Sequence, residues 1–159
     1  TKDYWFPAVD ISNGTGTADI VRIDKSTVYQ IDANPNTEDV DFINQPAPTT
    51  ELRSYKPSMD QEIACYRGNK AYEFYEDRFY NLDVTEAVVP SYAVFPKKTE
   101  SATGMRAWYY PEALNVMNDL TSTDGKIEFT IYFNGPRTLG TISLNAEGDI
   151  TFTPDSVTP

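Results

Sequence analysis

Residues 55–82 read YKPSMDQEIACYRGNKAYEFYEDRFYNL, and this stretch holds a turn, a strand and the one convincing helix of the chain. Pro57 fixes its own φ and pushes Lys56 out of the helical region, so Lys56–Asp60 is predicted as a turn, with Ser58 and Asp60 able to bond nearby backbone. Gln61–Tyr66 alternates as a strand, with Ile63 and Cys65 on one side and Glu62, Ala64 and Tyr66 on the other. Arg67-Gly68-Asn69 breaks the strand, and Asn69 is placed to cap a helix over about 69–82. Ala71, Tyr72, Tyr75, Phe79 and Leu82 recur at spacings of three and four and form one apolar stripe, with Glu73, Glu76, Asp77 and Arg78 largely off it. Aromatic residues are mediocre helix formers, so packing against a sheet must hold this segment helical. A stripe of that kind is read as core.

Working outward, the C-terminal third carries the strongest strand. Lys126–Asn134 (KIEFTIYFN) alternates Ile127, Phe129, Ile131 and Phe133 against Glu128, Thr130 and Tyr132, bounded by Asp124-Gly125 and Gly135-Pro136. Thr138–Leu144 and Asp149–Thr153 flank Asn145–Gly148 and are expected to pair as a final hairpin. Before them, Met105–Tyr110 reads as a strand, and Pro111–Leu120 is ambiguous between a short helix and an irregular strand. Glu86–Phe95 has strand character, but Pro90 demotes it to an edge or bulged strand. Pro96–Gly104 is a polar connection.

Toward the N-terminus, Trp5, Phe6 and Val9 precede a turn at Asn13-Gly14. Asn13-Gly14-Thr15 also fits a glycosylation acceptor, but is better read as that turn. Ile20–Asp24 and Thr27–Asp32 look like paired strands joined around Lys25-Ser26. Residues 34–50, NPNTEDVDFINQPAPTT, form a long loop or extended hairpin with a possible strand at Val40–Ile43, after which Thr50–Tyr55 resumes a strand. A long excursion of this kind is favoured as an interaction arm, because Phe42 and Ile43 in its middle would gain from burial against a partner. Strands on both sides of one helix predict a mainly β (α+β) fold, a β-sandwich or partly closed barrel with one flanking α-helix.

Composition narrows the function. The 159 residues suit a single domain (1–159) able to bury roughly 68–70% of its unfolded surface. A net charge of −11, from 13 basic and 24 acidic residues, argues against gripping nucleic acid or an anionic membrane, and Lys97-Lys98 is the only basic cluster. With one cysteine, Cys65, and no histidine, neither a disulfide framework nor the common zinc sites are expected, and Cys65 is read as a small buried hydrophobe. The opening TKDYWFPAVD has no signal-peptide pattern and no apolar run reaches membrane length, so a soluble protein without an export signal is expected. Nucleophile elbows, phosphate-cradling glycine loops and Cys-His pairs are absent, and Glu62, Glu73 and Glu76 fit a solvated face as well as an acid–base role. No enzyme, cofactor or metal is expected.

The run YKPSMD, then QEIACYRGN, then the acidic aromatic helix KAYEFYEDRFYNL resembles the corresponding region of major tail tube proteins of long-tailed, non-contractile (siphophage-type) bacteriophages. Gly140-Thr141-Ile142 and Gly148-Asp149-Ile150-Thr151-Phe152-Thr153-Pro154 resemble the endings of that family. The likeness spans roughly Tyr55–Leu82 and Lys126–Pro154. It implies a structural virion protein, made in the host cytoplasm, whose copies assemble as stacked hexameric rings around a lumen through which genomic DNA leaves without specific binding. It further implies tail initiator, tape-measure and terminator proteins as partners besides the chain itself, no membrane, and a chain ending with the tube domain, without an added immunoglobulin-like module. Under it, Val40, Asp41, Phe42 and Ile43 become the inter-ring contact, and Glu128, Thr130 and Tyr132 the lumen-facing residues. The alternation rule gives that polar side of the strand equally well as a solvated outer face. Two other classes stay open: a non-tubular virion component such as a decoration or tail-completion protein, and a carbohydrate-binding module exposing Trp5, Trp108, Tyr109 or Tyr110.

Overall fold

The computed structural model describes residues 6–12, 17–23, 29–44, 46–96, 104–121, 123, 125–145, 147 and 149–155. Its architecture is mainly β with one α-helix, as the alternating runs imply. Among the described residues twelve strands form three sheets: β1 (Phe6–Asp10), β2 (Ile20–Arg22), β3 (Ile31–Asp32), β4 (Pro35–Val40), β5 (Thr49–Tyr55), β6 (Ser58–Ala64), β7 (Ser91–Val94), β8 (Met105–Tyr110), β9 (Leu114–Thr121), β10 (Lys126–Tyr132), β11 (Thr138–Leu144) and β12 (Ile150–Pro154). The first sheet has the order β12-β11-β8-β7-β1-β2, the second β3-β6-β10-β9, and β4-β5 is a separate ribbon. The first sheet curls until β12 approaches β2.

That curl gives two cores. Phe6, Ala8, Tyr92, Val94, Met105, Ala107 and Ile142 pack together with Ile20, Ile150 and Phe152 on one face of the curled sheet. Val9 and Ala93, on its other face, join Met59, Ile63, Ile127, Phe129 and Ile131 of the second sheet, and Phe133 just after β10, in the main core. Hence β1 and β7 are buried on both faces, and their near-continuous apolar composition follows from that.

Helix α1 (Lys70–Asn81) closes the main core. The Asn69 side chain accepts from the Ala71 and Tyr72 amides at 3.0 and 3.4 Å, which is the predicted cap. Ala71, Tyr72 and Tyr75 are buried, and the Tyr75 ring stacks on Phe129 with centroids 3.9 Å apart. Leu82 leaves the predicted stripe. It is the C-cap, left-handed at φ 47°, and its side chain is 64% exposed because the chain turns away there.

A chain of buried hydrogen bonds joins the layers. The Tyr75 hydroxyl donates to Asn115 Oδ1 at 2.7 Å, Asn115 Nδ2 donates to Ser91 Oγ at 3.3 Å, and the Ser91 hydroxyl donates to the Val89 carbonyl at 2.9 Å. Helix, second sheet and first sheet are thereby linked through fully satisfied polar groups.

Several local expectations change. Ser58–Asp60, predicted as a turn, begins β6, because it pairs with Ile31–Asp32 on one side and with Thr130–Tyr132 on the other. Ile20–Arg22 and Ile31–Asp32 do not pair with each other: β2 joins β1 and β3 joins β6. Their predicted connection around Lys25-Ser26 lies outside the described residues, as do Trp5, the Asn13-Gly14-Thr15 turn, Lys97-Lys98 and Gly148. The strand predicted over Glu86–Phe95 shortens to β7, which is central rather than an edge. Pro90 precedes it and costs no ladder bond there, while its carbonyl accepts from Asp10. The ambiguous Pro111–Leu120 run is a turn followed by β9, and of the possible strand at Val40–Ile43 only Val40 is in a strand, as the last residue of β4.

The two C-terminal motifs of the sequence resemblance lie opposite one another: Gly140 pairs with Pro154, Thr141 with Thr153, and Ile142 with Phe152. A Cβ at Gly140 would come within 2.5 Å of the Phe152 ring and of the Thr153 carbonyl oxygen, so glycine there lets the phenylalanine lie against the backbone.

Tyr75→Phe keeps the ring stack but leaves Asn115 Oδ1 buried without its donor, so a loss of about 1–3 kcal/mol is expected from the denaturant midpoint, with the fold retained by circular dichroism. Burial also pushes the Tyr29, Tyr75 and Tyr92 hydroxyls well above the ordinary 10.0, and hydrogen bonding to Glu76, aided by burial, lifts Tyr72 to about 12. The unfolded chain therefore releases these protons first. Their contribution is whole below pH 10 and falls as pH rises above it. Tyrosinate absorbance and loss of circular dichroism are expected to rise together in one alkaline transition.

Candidate functional site

Two surface features of the structure hold the residues singled out by the sequence, and both adjoin the second sheet. The first is the ribbon of β4 and β5. Asn34, at φ 47°, turns the chain into it, and the Asn34 side-chain amide donates to the Lys56 carbonyl at 3.1 Å and to Ser58 Oγ at 2.8 Å. Asparagine tolerates this left-handed conformation better than most residues. The Lys56 amide donates to the Ala33 carbonyl and closes the root. From there the ribbon runs outward with none of its strand residues buried.

Val40, Asp41, Phe42 and Ile43 follow one another into the ribbon's tip. Val40 is half-buried as the last residue of β4, Phe42 is 42% exposed, and Ile43 is 106% exposed. The sequence's choice between long loop and extended hairpin is settled as a hairpin. An isolated two-stranded ribbon is marginal in water, so this one gains little from its own hydrophobic burial.

The second feature is the face of the second sheet that looks away from the core. Side chains alternate cleanly along β10: Ile127, Phe129 and Ile131 face the core, while Glu128, Thr130 and Tyr132 share the opposite face. Register places Glu62, Glu128 and Asp119 side by side across β6, β10 and β9. Lys126 forms an ion pair with Glu62 at one end of this row. Below it, Thr130 is only 8% exposed although it lies on the outer face, because Asn118 Nδ2 donates to its hydroxyl oxygen at 2.9 Å and that hydroxyl donates to Asp60 Oδ1 at 2.8 Å. Asn118 is the extra residue of a bulge in β9, a placement that single-residue alternation could not reveal. Tyr132 ends the face, partly exposed.

Among the described residues this sheet ends in β3 on one side and in β9 on the other. β3 pairs with β6 at Met59 and Ser58. β9 is the terminal strand on the other side, tied at its start by the Val88–Leu114 bridge and open from Val116 to Thr121.

Among the described residues no group of three or more acidic, cysteine or histidine side chains is placed to hold a metal, and no helix is long and apolar enough to cross a membrane. Glu73 and Glu76 belong to helix surface networks: Glu73 accepts from the Gly68 amide, and Arg67 pairs with Glu76 at 3.0 Å. The Tyr72 hydroxyl first, and Arg67 next, hold the Glu76 carboxyl below its ordinary value. Cys65 is half-buried beside the core. Trp108 and Tyr110 turn inward to the main core, and Tyr109 packs against Tyr92 and Phe152, so these three make no exposed aromatic row.

No protein-family model matches the chain, and no curated protein sequence matches it. Among solved structures, it is similar to a chain in the cryo-EM structure of the anti-feeding prophage (AFP) baseplate, 6-fold symmetrised, at 10% identity over 85% of this chain and 91% of that chain, with a TM-score of 0.45. That likeness is too distant to bear on what the chain does.

Carboxylates directly opposite one another across strands destabilise a sheet. Glu128→Gln is therefore expected to raise stability by about 0.2–1 kcal/mol at low ionic strength, with the gain shrinking as salt screens the row; urea midpoints at two salt concentrations measure it.

Proposed function

We propose that this chain is a structural subunit of a bacteriophage-type tail, that its copies assemble as stacked hexameric rings into a tube, and that genomic DNA passes through the lumen without being bound. The observation that carries this reading is the ribbon 35–55, a projecting arm with no buried strand residue and with Phe42 and Ile43 presented at its tip. An appendage of this kind exposes apolar side chains and unpaired strand edges at a cost that only a partner can offset. The edge strand β9 of the second sheet supports ring closure, since heterologous contacts between copies close when the rotation permits. The sequence resemblance supplies the tube, the hexamer and the initiator, tape-measure and terminator partners.

In this assembly the outer face of the second sheet, with Glu62, Glu128 and Asp119 in register, lines the channel. Carboxylates and neutral polar groups repel phosphates or leave them unheld, which suits a conduit for a polyanion. The protein acts as a scaffold rather than an enzyme: its carboxylates sit in surface ion pairs and sheet rows, and the mechanism requires binding between copies and nothing further. The arm tip docks on the adjacent ring, where Phe42 and Ile43 leave water.

Deleting residues 40–46, or replacing Phe42 and Ile43 with Ser, is expected to leave the monomer folded, with an unchanged melting temperature, and to abolish tube growth. Negative-stain microscopy of the concentrated protein, with sedimentation alongside, checks both. Tubes of ordinary length from the deleted chain would remove the arm from the contact, and particles whose tails lack the protein would remove the assignment itself.

A further inference from the structure

We infer that Arg53 is the residue that sets the register of the projecting arm, acting as a guanidinium clamp at a β-bulge. The ladder pairs Asn36 with Ser54 and Thr37 with Leu52, so Arg53 is the extra residue of β5 with no opposite number on β4. Its side chain reaches across the ribbon. Nη2 lies 2.7 Å and Nε 3.0 Å from Glu38 Oε2, and Nη2 lies 3.2 Å from Glu51 Oε2.

Glu38 and Glu51 are themselves directly opposite in the ladder, a like-charged pair that opposes this register unless a cation stands between them. Arg53 is the only basic residue in 35–55, against Glu38, Asp39, Asp41 and Glu51. A planar guanidinium can serve two carboxylates at once, which an ammonium point charge does less well.

The clamp matters because no strand residue of the ribbon is buried. With neither face buried, no hydrophobic set penalises a slip, and a slip of one residue would move every side chain to the opposite face. The root is held at Asn34 and the outer end by the Thr50 hydroxyl donating to Asp39 Oδ1 at 2.7 Å, leaving the middle to Arg53. An exposed ion pair contributes little to a stable domain, but a marginal ribbon is poised where a small contribution decides its order. Arg53 is thus a positioning residue for Phe42 and Ile43. Its consequence for tube growth rests on the assembly reading above, whereas the clamp itself does not.

The test is hydrogen exchange of the ribbon amides in the full-length monomer, with chymotryptic cleavage at Phe42 as a second probe. Arg53→Gln is expected to speed exchange over 36–40 and 49–54 about five-fold and to accelerate cleavage, with core amides unchanged. Arg53→Lys is expected to fall between, and the swap Glu38→Arg with Arg53→Glu to restore protection, because Arg at 38 then faces both Glu51 and the new glutamate. High salt is expected to erase the difference between wild type and Arg53→Gln. Ribbon exchange unchanged in Arg53→Gln would overturn the clamp. If exchange quickens but tubes grow at the wild-type rate, the clamp stands and the arm's role in assembly falls.

Discussion

The structure depends on a single buried junction, where the Tyr75 ring stacks on Phe129 while its hydroxyl begins the chain through Asn115 and Ser91 to the Val89 carbonyl. It runs from the helix through the second sheet to the first, so the helix cannot shift along the second sheet, nor that sheet along the first, without stranding a buried donor or acceptor. Apolar packing alone would allow alternative seatings of an aromatic helix. The polar chain selects one. Satisfied throughout, it adds direction to a core whose bulk stability comes from the isoleucines and phenylalanines around it.

A rigid body of this kind permits loosely held features at its margin. The ribbon is anchored through Asn34 to Ser58 and Lys56, at the end of the same β6 that runs through the main core, so its root inherits the order of the sheet while its tip does not. The contrast is physical. Along β6 a side chain is fixed by burial on one face, whereas along β4 and β5 only hydrogen bonds and ion pairs in water are available, and these are individually weak. Under the proposed function, a surface that meets a partner leaves its contacts unmade in the isolated chain.

The acidity of the molecule gains meaning from register. Spread evenly, a charge of −11 would speak only of solubility. In the fold, carboxylates from β6, β10 and β9 stand abreast on one face, with Lys126 at the end of the row. Such an arrangement is unfavourable within the monomer. It makes a face that holds phosphates at a distance, the property a DNA conduit requires under the proposed function.

Sequence alone determined what is local. The period of two in β10 assigned Ile127, Phe129 and Ile131 to the core, the period of 3.6 and Asn69 located the helix and its first turn, and Asn145–Gly148 located the last hairpin, because each depends on neighbours a few residues apart. Sequence also marked residues 34–50 as unusual without deciding between loop and hairpin, since Pro35, Pro46 and Pro48 weaken every propensity there alike. Tertiary structure decided the rest. Only collective burial could place β1 between β2 and β7, separate β3 from β2, and make β7 central despite Pro90, because strand partners are chosen by long-range contacts that no short window contains. The same holds for the surfaces proposed to act. Glu62, Asp119 and Glu128 are far apart in the chain, and Arg53 pairs with Glu38 across fifteen positions; their meaning arises when register sets them side by side.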